Sequence, residues 1–156
     1  MDYKTTVSFT GSSSAAMEAA RTQFIANGFK IDQSSDDLLV VTGPGMYNNQ
    51  QNPIVDISHA KITISSSTIE ICAELGGVKF MQMFLYIFPP ALGVFLALVF
   101  ACIPSFPRRA SLTPILTVLP WIVISPLMAR WLKNRTTKAV DTLVHNMVNV
   151  GSLANN

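Results

Sequence analysis

The spacing of apolar positions changes along this chain, and each change predicts a different element. Residues 5–10 alternate polar and apolar side chains with Val7 and Phe9 on one face, the pattern of a half-buried strand. After Gly11, Ser12, Ser13 and Ser14 offer N-cap hydroxyls and Glu18 stands in the first turn. Met17, Ala20, Phe24 and Ile25 then recur at helical spacing until Asn27 and Gly28, which tolerate a left-handed backbone, close the helix. Residues 29–31 and 38–42 read as extended, either as one bent strand or as two short ones. Leu38, Leu39, Val40 and Val41 are apolar on both faces, which places that segment inside a sheet.

The clearest pairing is a hairpin over residues 56–75. With Ser66 and Ser67 as a two-residue turn, Ile64 falls opposite Ile69, Ile62 opposite Ile71 and Ala60 opposite Ala73, while Thr63 meets Glu70, Lys61 meets Cys72 and His59 meets Glu74. One face is apolar and the other polar apart from Cys72; a slip of one residue would mix them. The helix over Met17 and Phe24 is expected to cover the apolar face. The resulting fold class is α+β, one helix on an antiparallel sheet in the order β-α-β-β-β.

The pattern then becomes continuous. Residues 80–107 and 110–129 are uncharged and apolar, separated only by Arg108 and Arg109. An uncharged run of about 18 residues or more reads as a bilayer span, since about 20 helical residues cross a hydrocarbon core roughly 30 Å thick. The two blocks predict a transmembrane hairpin turning over residues 104–109. Pro89 and Pro90 should kink the first span, and Pro114 suits the first turn of the second. Gly93, Ala97 and Ala101 form a small-residue stripe on the first span, with Ser125 and Ala129 as a similar pair on the second; such surfaces let helices approach closely.

Beyond Trp131 the helical period returns. Leu132, Ala139, Val140, Leu143, Val144, Met147 and Val148 make an amphipathic tail whose stripe needs a cover: the amino-terminal sheet, copies of itself, or the lipid surface. Three segments follow, a soluble domain over 1–79, the hairpin over 80–131 and the tail over 132–156.

Composition adds little that is independent. Of 156 residues, 13% are charged, against about 25% in soluble domains, because of the two blocks. The mean hydropathy of +0.38 has the same origin. A net charge of +2 argues for no nucleic-acid partner, and the basic residues gather beside the apolar blocks, as at an inner-leaflet surface. Lys79, Arg130, Lys133, Arg135 and Lys138 flank one side of the hairpin, against Arg108 and Arg109 on its turn. Both termini are therefore expected in the cytosol, in a plasma or inner membrane. The first twenty residues lack an apolar core behind a basic start, so a cytosolic amino-terminal domain is expected. Asn134, Arg135 and Thr136 spell a glycosylation acceptor on that inner side and are discounted.

Candidate chemistry is sparse. Cys72 and Cys102 are the two cysteines, with no CxxC, so neither a disulfide scaffold nor a structural zinc site is expected. His59, Glu70, Cys72 and Glu74 share the polar hairpin face with Lys61 in their midst, which suits cross-strand pairing better than catalysis. Gly43 to Gly45 lacks the helix and basic residue of a phosphate loop. No Asp, Glu, Lys, Arg or His lies inside either block, which argues against proton relay and ion-coupled transport. His145 reads as a polar-face residue of the tail. In the loop over 43–53, Met46 and Tyr47 are the candidate partner contacts. The expectation is a non-catalytic membrane accessory, scaffold or interaction subunit with no cofactor and no small-molecule substrate, whose partners are the bilayer and a protein or its own copies. The alternative is one subunit of an oligomeric two-span channel.

Overall fold

The computed structural model describes residues 2–44, 52–103 and 118–154. They form two compact units, Met1–Lys79 with Lys133–Asn156, and Phe80–Leu132.

In the first unit the order is β1 (Asp2–Ser8), α1 (Ser13–Ala26), β2 (Lys30–Ser34), β3 (Leu38–Thr42), a single 3-10 turn (Pro53–Asp56), β4 (His59–Ser65) and β5 (Thr68–Glu74). The expected β-α-β-β-β order needs one more strand: residues 29–42 make two strands, because Ser35 closes a tight turn, its N–H bonding the Leu38 carbonyl at 2.8 Å and its hydroxyl accepting from the Leu38 N–H at 3.1 Å. The sheet is wholly antiparallel in the order β1-β5-β4-β3-β2, so α1 carries the chain from one edge to the other. β3 is interior, as its apolar composition requires. The β4–β5 hairpin has every pair expected, from Ile64 opposite Ile69 to His59 opposite Glu74, with Ser66 and Ser67 between the strands.

The inner face carries Ala60, Ile62, Ile64, Ile69, Ile71 and Ala73, all buried. α1 covers the β2–β3 side with Ala16, Met17, Ala20 and Phe24. Ser12 caps it by accepting from the Ala15 N–H, and Gly28, at φ 79°, takes the left-handed position after Asn27 that ends it. Ile25 departs from the expectation: it stands 54% exposed, since the helix turns it off the stripe that Met17, Ala20 and Phe24 share.

The remaining helices are α2 (Gly76–Ala101) and α3 (Leu119–Leu153). The tail read as beginning at Trp131 is the carboxy-terminal part of α3, a single continuous helix. Its stripe is buried in the first unit: Thr136, Val140, Leu143, Val144, Met147 and Gly151 all have little or no exposure. The cover is the amino-terminal domain. Tyr3 Oη donates to Asp141 Oδ1 at 2.6 Å, and Ser12 N–H donates to the Gly151 carbonyl at 2.9 Å. Two helices thus share one face of the sheet, where the sequence suggested one.

In the second unit, α2 is long and apolar enough to cross a membrane, and only 6% of its most apolar window is buried. A second spanning helix is not shown. Residues 104–117, which contain the expected turn, Arg108, Arg109 and Pro114, lie outside the described residues. The described apolar part of α3, from Leu119 to Ala129, rises about 16 Å, roughly half a hydrocarbon core.

Candidate functional site

The apolar pair of helices in the second unit is built around a proline. Pro89 has no N–H to offer the Leu85 carbonyl one turn earlier, so that oxygen loses its helical partner. Ser125 supplies the missing donor: its hydroxyl bonds the Leu85 carbonyl at 3.1 Å, and Ser125 is 2% exposed. In an apolar surround an orphaned carbonyl is costly, and this bond ties α2 to α3 where α2 is weakest. Below it, a cleft of about 240 Å³ is lined by Phe88, Pro89, Leu92, Gly93, Leu96 and Trp121 among others.

The expected packing residues fall out unevenly. Gly93 is buried and Ala97 half-buried, whereas Ala101 is exposed. Ser125 and Ala129 are both buried, at 2% and 5% exposure. The packing face of α2 therefore runs through Leu85, Pro89, Gly93 and Leu96 rather than straight down the small residues, and Leu98 points away at 62% exposure. Met46 and Tyr47 lie outside the described residues. Removing the bridge should be measurable: Ser125→Ala is expected to weaken the α2–α3 pair by about 1 kcal/mol, and Ser125→Thr, which keeps the hydroxyl, by less. Unfolding of the detergent-solubilised protein by added denaturing detergent reads the difference.

The outer face of the sheet is the other place where chemistry gathers. The register lays Thr42, His59, Glu74 and Asp2 in one row and Val40, Lys61, Cys72 and Lys4 in the next, along a groove of about 550 Å³. Lys4 Nζ meets Glu70 Oε1 at 2.8 Å with both side chains exposed. Their hydrogen bond pushes the Lys4 ammonium up and holds the Glu70 carboxyl down. Glu70 thus pairs with β1, a neighbour that the sequence did not supply. Desolvation and the adjacent Glu70 carboxylate raise the Cys72 thiol, so it stays protonated and is a poor nucleophile at neutral pH. Thr42 Oγ1 donates to Asp32 Oδ2 at 2.5 Å and lies 3.0 Å from His59 Nδ1. With its proton given to Asp32, Thr42 accepts from His59 Nδ1–H. This relay was hidden in the sequence because Asp32 reaches Thr42 from a bulge in β2. Among the described residues, no three of the His, Cys, Asp and Glu side chains come together closely enough to hold a metal ion.

Compared with family models, curated proteins and solved structures, the chain matches none.

One half-buried acid stands apart from the helix pair and the outer sheet face. Asp56 ends the 3-10 turn and accepts from Thr136 Oγ1 at 3.1 Å, on the α3 stripe. Burial pushes its carboxyl above 3.8, against the opposing pull of the Thr136 hydrogen bond and the Arg135 charge. A folded-state value above the unfolded one favours folding at low pH. That contribution is full below about 3.8 and fades as pH rises through the raised value. Asp56→Asn keeps an acceptor for Thr136 and has no proton to lose. The variant should gain thermal stability over the parent as pH rises from 4 to 7, and the difference between their melting curves isolates Asp56 from Glu70, which titrates with the opposite sign. The bond also uses up the hydroxyl of the discounted acceptor sequence: Thr136 is fully buried.

Proposed function

We propose that the chain is a non-catalytic integral membrane protein, a small accessory, scaffold or interaction subunit. In this reading residues 80–131 form a two-span hairpin with both termini in the cytosol. The observation that carries it is the surface of the second unit. Phe95, Leu98, Ile122, Val123 and Leu127 are each about 60% exposed, on helices with no Asp, Glu, Lys, Arg or His between Phe80 and Ala101 or between Leu119 and Ala129. Water does not tolerate a continuous apolar surface of that extent, whereas hydrocarbon matches it. The Ser125 bond to Leu85 is the kind of polar contact that joins helices in lipid, where apolar burial alone gives little preference for one helix over another. The first unit, with its open polar sheet face, is the part presented to a protein partner.

Alkaline carbonate extraction of membranes from expressing cells, with reporters fused at Met1, at Asn156 and within residues 104–109, tests both halves of the reading. Retention in the membrane pellet with cytosolic termini and an external turn is expected. Release by carbonate would overturn membrane integration, and a cytosolic turn would overturn the hairpin.

A further inference from the structure

The two edges of the sheet are treated differently. β2 is short and carries a bulge at Asp32 between Ile31 and Gln33, which interrupts its outer ladder. β1 is longer and pairs with β5 without a register shift, and among the described residues no strand pairs with its other side. A regular edge of this kind presents a row of backbone donors and acceptors in the right spacing for another strand. Lysine commonly guards such an edge. Here Lys4 is turned onto the outer face and neutralised by Glu70 at 2.8 Å. On the inner face Tyr3, Thr5 and Val7 remain half-buried, whereas their β5 neighbours Ala73, Ile71 and Ile69 are fully buried. α3 reaches β1 through the Tyr3–Asp141 bond yet leaves these side chains half-buried.

We propose that β1 pairs antiparallel with β1 of a second copy of this chain, about a two-fold axis at Thr5, joining two sheets into one. The strand is self-complementary in that register. Thr5 faces Thr5, Tyr3 faces Val7 and Lys4 faces Thr6, so like charges never meet and each inner-face side chain stays on the inner face. An aromatic against a β-branched residue and a threonine pair are among the favourable cross-strand neighbours. Shifting the axis to Lys4 would set the two lysines against each other. The inference rests on the interaction-subunit reading and names its partner.

The test uses the full chain in mild detergent with Cys72→Ser and Cys102→Ser, so that the introduced thiol is the sole one. At the axis, opposed residues stand about 5 Å apart, within disulfide reach, whereas Ser8 and its copy would be about 20 Å apart. Mild oxidation should convert most of the Thr5→Cys protein to covalent dimer and essentially none of the Ser8→Cys protein. Equal cross-linking at both positions, or none at Thr5, overturns the pairing. Charge gives a second readout by light scattering: Thr5→Lys and Thr5→Glu should each be monomeric and their mixture dimeric, with circular dichroism showing each variant folded. A mixture that stays monomeric also overturns the pairing. A chain that resists carbonate yet fails to cross-link refutes the pairing alone, and one that cross-links yet is released by carbonate refutes the membrane reading alone.

Discussion

Gly11→Ala is expected to cost about 3 kcal/mol or more, among the largest effects available to a single methyl group in this chain. Gly11 lies between β1 and the N-cap of α1, against the last turn of α3. A Cβ there would run into the carbonyl carbon and oxygen of Gly151 and the amide nitrogen of Ser152. Those are backbone atoms, held by the bond from Ser12 N–H to the Gly151 carbonyl at 2.9 Å, and they cannot step aside as a side chain would. The converse change is similar in kind. A Cβ on Gly151 would sit 2.6 Å from the Phe9 ring, which is itself 4% exposed and has nowhere to swing. Both substitutions should lower the melting temperature of the first unit in detergent, and both should loosen the end of α3, read as faster proteolysis near Val150. A Gly11→Ala protein as stable as its parent would mean that the end of α3 does not lie against Gly11.

Ile62→Asp and Ile71→Asp should unfold the first unit outright. The two residues face each other across β4 and β5 on the inner face, at 0% and 1% exposure. A carboxylate there would lose its hydration without gaining a partner, at a cost of several kcal/mol, a large part of the roughly 5–15 kcal/mol that holds a domain folded. Lys61→Ala and Glu70→Ala, on the outer face of the same two strands, should leave the melting curve nearly unchanged, because the charges they remove are solvated. Circular dichroism on the four variants reads the contrast directly. Four similar curves would mean that the faces of the hairpin had been assigned wrongly.

How much of this was legible beforehand follows from the range of each interaction. The register of β4 and β5 could be read because both strands alternate strictly, so a slip of one residue exposes every isoleucine together. The limits of α1 were readable from Ser12, Asn27 and Gly28, which act on backbone groups a few residues away. The apolar character of α2 needed only composition. The exposure of Ile25 is not legible in the sequence, because it neighbours Phe24 in a stripe whose width the sequence leaves open. The candidate packing residues differ in burial: Gly93 and Ser125 are buried and Ala101 is exposed, since the face of α2 is set by Pro89 and the serine that answers it.

Taken alone, the sequence determined the α+β class, the hairpin register and the presence of a helix apolar enough to span a membrane, all properties of neighbours within a turn or a two-residue loop. Only the tertiary structure decided that β1 lies beside β5, that the amino-terminal domain covers the stripe on the carboxy-terminal part of α3, that Thr136 answers Asp56, and that Ser125 answers Leu85. The physical reason is that an apolar stripe specifies its need for cover but not the cover itself. Several faces of similar chemistry compete for it, and the choice falls to shape, such as the two glycines that let α3 close onto Phe9, and to single polar groups that find a partner in one arrangement.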